Sequence, residues 1–430
     1  MTRRLYSLLI YAAIPFALAW LSWRGVRERA YWRSWGERFG LGPAVAGDAL
    51  WVHAVSLGEV TAAAPLVRAL RAKYPHMRLV LTTATPTGRA RARALFAEAD
   101  VRFLPYDTPG AVQRFLRRVR PRIAVIMETE LWPNLFEACR RQGVSLVLAN
   151  ARLTAKSVER YLRLGALIRG VFASSVVVAA QTEADGARFV QIGAPPPRVH
   201  VAGNIKFDAN VGPGVAERGR EWRARFGPAR PVWAAGSTHA GEEEQALTAH
   251  EALLADLPNA LLLLAPRHPQ RFDSVAELLR SRGMRFARRT SEPGTDGGAE
   301  ELRGIQVLLV DCVGELAGFY AASDVVFVGG SLVPIGGHNL LEPAALGLPV
   351  VTGPSYANAR DVARLLFEQG AAIEVSDAGE LKGALARLLA DPEERARVGA
   401  RGRQMVESNR GAVERVLALI APGASGAGSP

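Results

Sequence analysis

From residue 49 onward the chain alternates short, nearly uninterrupted apolar runs with stretches of mixed polarity. ALWVHAVS, RLVLTTAT, VRFLPYD, RIAVIMETE, SLVLANA and VVVAAQTE have the length and composition of strands buried on both faces. Between them, segments such as APLVRALRAKY and LFEACRRQG space their apolar residues as a helix does. This alternation predicts a parallel, doubly wound sheet. The Gly/Pro-rich stretch NVGPGVAERG follows VHVAGNIKFD and predicts a linker. A second series then begins with RPVWAAGS, ALLLLAPRH, IQVLLVD, DVVFVGGS, LPVVTGP and AAIEVS. Helices are expected from 380 to 420, and the tail APGASGAGSP is expected to be disordered. The expected fold is therefore α/β, with Rossmann-like domains at 31–210 and 211–410. Residues 1–30 precede them and 411–430 close the chain.

The first thirty residues follow a different pattern. Leu5 to Trp23 carries no charge and is close to the ~20 residues that cross a bilayer core. Arg3 and Arg4 precede it, whereas Arg24, Arg27, Arg29, Arg33 and Arg38 follow it. Tyr6, Tyr11, Trp20, Trp23, Tyr31 and Trp32 are of the types that settle at a lipid–water boundary. No small-residue cleavage site follows, which argues against a removed signal peptide. A membrane anchor is expected, with the body on the side carrying the heavier positive charge, the cytoplasmic side. Pro15 and the marginal length leave both a spanning and an interfacial helix open.

Composition narrows the partners. In 430 residues the hydrophobic fraction is 49% and the charged fraction 22%, which excludes a mainly disordered chain. The two cysteines, Cys139 and Cys312, have no ligand spacing, so neither a disulfide framework nor a cysteine metal site is expected. A net charge of +12 favours an anionic partner. No aromatic-interleaved basic motif points to nucleic acid. Lysine occurs only at 73, 156, 206 and 382, so arginine carries the charge.

In doubly wound sheets ligands sit beyond the carboxyl ends of the strands. Five loops fall there. In HAVSLGEV, Glu59 opens a helix and is either a proton acceptor or a helix-start residue. In METELWPN, Glu128 and Glu130 end the fourth strand. With period two they share a face, as a functional pair or as partners in ion bridges. Lys206 in NIKFD ends the last strand of the first half and suits a phosphate or carboxylate, or is a surface lysine. GSTHAGEE, with Ser237, Thr238 and a helix from near Gly241, reads as a turn ready for an anion, and APRHPQR adds Arg267 and His268. His239 with His268 could hold a metal, but no carboxylate pair completes such a site. In GGSLVPIGGHNLLEP the glycines allow close backbone approach. Asn339 can cap the following helix, and Glu342 on its first turn can accept ribose hydroxyls while free N–H groups face a phosphate.

Taken together, SWGERFG, SLGE, TTATPTG, LPYD, METELWPN, NARLT, QTEADGARF, GSTHAGEE, PRHPQRF and GGSLVPIGGHN cover residues 30 to 410. The set resembles the 3-deoxy-D-manno-octulosonic acid (Kdo) transferases of lipopolysaccharide assembly. The resemblance implies a GT-B glycosyltransferase whose two Rossmann-like domains face a cleft. The first would take the acceptor, lipid IVA or a related lipid A precursor, and the second CMP-Kdo. It also implies an inverting, membrane-associated enzyme of the inner membrane's cytoplasmic side, with no cofactor and no bound metal. Glu59 matches the general base, and Glu128 and Lys206 match residues that stabilise the transition state. The CMP contacts map to Pro266, Arg267, Val313, Gly314, Glu315, Asn339, Leu340, Leu341 and Glu342. Pro334-Ile335 stands where the family loop often carries a charged residue. The rival readings are another GT-B enzyme using a UDP-sugar, such as an epimerase, and a non-catalytic binding protein.

Overall fold

The computed structural model describes residues 1–173, 176–208, 212, 214–291 and 302–420. The expected tail at 421–430 lies outside them, as does part of the expected linker at 210–219. The chain forms two units, 1–209 with 409–430, and 210–408.

The first unit is built on β1 (Ala49–His53), β2 (Arg78–Thr83), β3 (Asp100–Phe103), β4 (Pro121–Met127), β5 (Ser145–Ala151), β6 (Val177–Ala180) and β7 (Val199–Val201). Their order is β3-β2-β1-β4-β5-β6-β7, and all pairs are parallel. Alternate residues of the central strands serve two cores. Trp51, Ala124 and Ile126 join one cluster, while Leu50, Val52, Ile123 and Val125 join the other. This explains the unbroken apolar runs, because helices cover both faces. The helix Leu57–Lys73 buries Val60, Ala63, Ala64, Val67 and Leu70, the spacing of one helical stripe. Several arginines serve the fold as donors to carbonyls: Arg102 to Pro43, Arg114 to Phe39 and Arg118 to Gly42. Part of the basic excess is thus spent inside this unit.

The C-terminal helix Ala412–Leu419 packs on Leu57–Lys73. Asp208 holds its start, accepting from Gly411 N at 2.6 Å and Val413 N at 2.5 Å. Charge-assisted contacts of this kind stabilise by about 1.5–3 kcal/mol each.

The N-terminal helix Arg3–Arg27 has a mean hydropathy of 1.7 in its most apolar window and is long enough to cross a membrane. Its early residues are nevertheless engaged by the unit. Ser7 donates to Asn134 Oδ1 at 3.1 Å, Tyr11 accepts from Gly110 N at 3.4 Å, and Arg3 lies 3.7 Å from Glu137. Leu8, Phe16, Trp23 and Val26 remain exposed.

The second unit repeats the plan with β8 (Val232–Thr238), β9 (Leu261–Pro266), β10 (Phe286–Arg288), β11 (Val307–Leu309), β12 (Val325–Val328), β13 (Val350–Thr352) and β14 (Ala372–Glu374). Their order is β10-β11-β9-β8-β12-β13-β14, again all parallel.

Candidate active site

A parallel sheet whose strand order reverses leaves a crevice at the carboxyl ends of the two strands flanking the reversal. In the first unit that point lies between β1 and β4, and in the second between β8 and β12. The loops after these four strands contain Glu59, Glu128 and Glu130, His239, and the glycine-rich segment from Gly329.

Ser56 caps the helix Leu57–Lys73 and receives Glu59 N at 3.4 Å. Its hydroxyl donates to Glu59 Oε1 at 3.2 Å, and Val55 N donates to Glu59 Oε2 at 2.8 Å. The Ser-x-x-Glu spacing is that of a capping box, so sequence alone places this carboxylate over its own helix start. Burial raises the Glu59 pKa, the Val55 N–H opposes it, and the Glu128 charge adds to the rise.

The shared strand face expected for Glu128 and Glu130 does not form. β4 stops at Met127, and Glu128 adopts φ 56°, which turns the chain out of the strand. A non-glycine residue there costs of order 1–3 kcal/mol and persists only when its surroundings enforce it. Here Glu128 N donates to Ala149 O at 2.9 Å, and its carboxylate lies 3.4 Å from Arg152 Nε. Glu130 instead accepts from Trp132 Nε1 at 2.9 Å. The three carboxylates still share one electrostatic neighbourhood. Glu130 is pushed up to about 7, by burial first and then by the charge on Glu59, with Glu128 adding.

Lys206 does not end a strand. β7 finishes at Val201, and Lys206 lies in the 3₁₀ turn Ile205–Asp208, its N–H donating to Asn204 Oδ1 at 3.0 Å. Ile205 anchors this turn in the same core cluster as Val60, beside the Glu59 helix. Among the described residues no carboxylate pairs with the Lys206 ammonium, and no bond joins it to Glu59 or Glu128.

In the second unit the anion-ready turn is already filled by the protein. The helix Glu242–Asp256 opens with three glutamates. Fully buried Glu242 accepts from His239 N at 3.0 Å, Gly330 N at 2.7 Å, and Ser331 N and Leu332 N at 2.9 Å. Gly241 N goes to Glu244, and the Thr238 hydroxyl to Glu243. The N–H groups of Gly336 and Gly337 are taken by Ser355 Oγ and Gly330 O. These groups are therefore not free for a phosphate, contrary to the sequence expectation. The first glycines answer to the same carboxylate. A Cβ on Gly329 would stand 2.7 Å from Ser237 O and 3.0 Å from Glu242 Oε2, and Gly330 has φ 71°.

Pro266 is the last residue of β9, and Arg267 follows with its N–H on Thr238 O at 2.9 Å. Asn339 caps locally, accepting from Leu341 N at 3.1 Å, while its Nδ2 donates to Glu342 Oε1 at 3.1 Å. The helix it precedes is only Leu341–Ala345. Burial raises the Glu342 pKa, against the Asn339 hydrogen bond and the Arg267 charge. Leu340 and Leu341 are buried, so only their backbone could meet a ligand. His239 and His338 stack with rings 6° from parallel and Nε2 atoms 2.8 Å apart, with His268 edge-on to His239. Burial lowers both rings' pKa, His338 to about 4. Among the described residues no group of three or more His, Cys, Asp or Glu is arranged to hold a metal. The loop after β11 contributes Val313, 79% exposed, Gly314 with φ 94°, and Glu315, which accepts from Arg289 Nε at 3.1 Å. Among the described residues no bond joins this loop to Asn339 or Glu342.

Sequence reasoning missed the roles of Glu242, Arg152 and His338. The Gly-Glu-Glu-Glu run signals a helix start, but nothing in it names partners 88–90 residues away.

Two doubly wound units with polar loops at their carboxyl ends give the GT-B architecture, and the matching family models make the class a glycosyltransferase. The description "Glycosyl transferases group 1" matches residues 302–405, and the 3-Deoxy-D-manno-octulosonic-acid transferase (kdotransferase) model matches residues 33–209. The chain is 39% identical over 427 residues to the 3-deoxy-D-manno-octulosonic acid transferase of Haemophilus influenzae, covering 98% of this chain and 99% of that one. With the Bordetella pertussis enzyme of that name it shares 40% over 431 residues, covering 97% and 98%. The UDP-GlcNAc 2-epimerase of Neisseria meningitidis has the same fold, with a TM-score of 0.57 at 15% identity over 87% of this chain and 99% of that one. The chain belongs to the 3-deoxy-D-manno-octulosonic acid transferase family. It is a glycosyltransferase of lipopolysaccharide biosynthesis.

Glu242→Gln keeps the side chain's size but turns an –NH₂ toward N–H donors. It should destabilise the second unit by about 1.5–3 kcal/mol or more and speed hydrogen exchange at Gly330, Ser331 and Leu332. Unchanged melting and unchanged exchange at those amides would contradict the role assigned to Glu242.

Proposed function

We propose that the enzyme transfers Kdo from CMP-Kdo to a hydroxyl of lipid IVA or a related lipid A precursor, with Glu59 as general base. The observation that carries the choice of base is the placement of Glu59. It sits at the reversal of the first sheet, half-buried, and its proton affinity is raised by burial and by Glu128. In the proposed step Glu59 takes the acceptor hydroxyl's proton as the oxygen attacks the anomeric carbon of Kdo. The bond from that carbon to the CMP phosphate oxygen breaks, and CMP leaves with the electron pair. A single displacement inverts the anomeric centre. Glu128 and Lys206 are assigned to stabilising the charge that develops in the transition state.

The donor is assigned to the second unit. Glu342, held by Asn339, can accept ribose hydroxyls, and Arg267 can face the phosphate. The backbone from Leu340 to Leu341 and the loop Val313–Glu315 complete the proposed contacts, with Pro266 shaping the end of β9. β11 and β12 stand three strand spacings apart, about 14 Å, a span suited to a nucleotide lying across the strand ends.

Glu130 supports a second reading. A carboxyl pushed up to about 7 is closer to the operating pH than an ordinary one and so is a competent base. Single substitutions separate the two. Glu59→Gln should lower turnover by ~10²–10⁴ while leaving CMP-Kdo binding nearly intact, and Glu130→Gln should keep most activity. If Glu130→Gln shows the large loss and Glu59→Gln stays within a few-fold of the parent, Glu130 is the base.

The N-terminal helix is assigned to the cytoplasmic face of the inner membrane, attached to anionic lipid by its aromatic and arginine residues. The bonds from Arg3, Ser7 and Tyr11 to the first unit favour a helix lying in the interface. A spanning helix would carry those residues into or across the bilayer, away from their partners. Deleting residues 1–24 should release the protein from membranes with both sheets intact. Continued sedimentation of the truncated chain with membranes would place the attachment elsewhere.

A further inference from the structure

Among the arginine-rich surfaces of the first unit, most cations that stand near a carboxylate are paired with it, as Arg140 and Arg141 are with Glu137. The helix Ala155–Leu164 is different. Lys156, Arg160 and Arg163 fall within about 60° of one another around its axis, at 100° per residue. Val158 is buried on the opposite side, and all three cations are exposed. Among the described residues none of the three has a carboxylate partner, although Glu159 lies on the same helix.

This stripe is fixed to the catalytic carboxylates. Arg152, three residues before the helix, lies 3.4 Å from Glu128, and its carbonyl accepts from the Thr129 hydroxyl. Thr154 caps the helix. Tyr161 carries the Arg160 guanidinium 5.6 Å from its ring centre and also feels the charge on Glu130. The helix therefore carries three cations without a carboxylate partner next to the loop that holds Glu128, and Glu59, Glu128 and Glu130 are themselves poor partners for any anion.

We propose that Lys156, Arg160 and Arg163 form a subsite for a phosphate group on the acceptor. The subsite would hold the acceptor in register so that its hydroxyl meets the base. The inference rests on the proposed acceptor, a phosphorylated lipid A precursor, and makes these residues specificity determinants that take no part in the bond-forming step. A phosphate carries about two charges and three acceptor oxygens, which three long cationic side chains can satisfy together.

The test uses the full chain with CMP-Kdo at saturation and three acceptors: the tetraacylated disaccharide with two phosphates, with one, and with none. K156Q/R160Q/R163Q keeps helix-forming side chains of similar length, so the fold should survive. The triple variant should show a KM for the bisphosphorylated acceptor raised roughly ten- to a hundredfold, with kcat and the KM for CMP-Kdo unchanged. Its preference for that acceptor over the dephosphorylated one should collapse. K156R/R160K/R163K should restore most of the preference. Binding to vesicles of phosphatidylethanolamine with phosphatidylglycerol should not change. An unaltered acceptor preference in the triple variant overturns the subsite. So does a loss confined to vesicle binding, which would make the stripe a reader of membrane lipid. A wild-type enzyme that transfers Kdo equally well to all three acceptors removes the subsite while leaving Glu59 as base. Failure to transfer to any of them removes the underlying reading.

Discussion

Three carboxylates share one end of the first sheet, and their mutual repulsion is the constraint that the loops around them answer. Coulomb repulsion between Glu59, Glu128 and Glu130 would drive them apart or protonate them if water alone surrounded them. The fold counters it locally. Ser56 and the Val55 N–H fix Glu59, Arg152 faces Glu128, and the Trp132 indole N–H serves Glu130. Burial still pushes two of the three upward in pKa. The left-handed backbone at Glu128 turns the chain out of the strand at the same point.

The second unit meets a related problem with the opposite solution. Its helix Glu242–Asp256 opens at the sheet's reversal, where aligned N–H groups usually favour an external anion. Glu242 supplies that negative charge from within and uses it to gather four backbone N–H groups from two loops. The glycine-rich segment is thereby shaped before any ligand arrives. The stretch proposed to meet the nucleotide is Asn339–Glu342, and the Arg267 charge acts on Glu342 across β8 from the end of β9.

Much of this was legible in the sequence. Apolar runs of strand length announced the central strands of both units, and the Gly-Glu pair after β1 announced a helix with Glu59 at its start; its Ser56 cap was not read. Strand and helix periodicity are local properties, and a single chain displays them. The positive φ at Glu128 was not legible, because no glycine or asparagine marks it and the period-two rule assumes a strand that continues. Lys206 was misplaced for a similar reason. VHVAGNIKFD reads as one extended run, but the strand ends at Val201 and a 3₁₀ turn follows. The role of Glu242 depends on partners some ninety residues away. The return of residues 412–419 to the first unit depends on Asp208, two hundred residues earlier. Such pairings leave no periodic trace.

Glu59 is proposed as a base whose proton affinity is raised by burial and by the charge of Glu128. The most direct test is the acidic limb of kcat/KM against pH, in the wild type and in Glu128→Gln. Activity requires the ionised base, so the rate rises as pH passes through its pKa. The wild-type limb should lie above that of an ordinary glutamate. In Glu128→Gln the enzyme should be slower and its limb displaced to lower pH, because a repelling charge is gone and Arg152 is left to favour the ionised form. A limb that stays in place, or that moves to higher pH, would rule out Glu59 as a base tuned by Glu128.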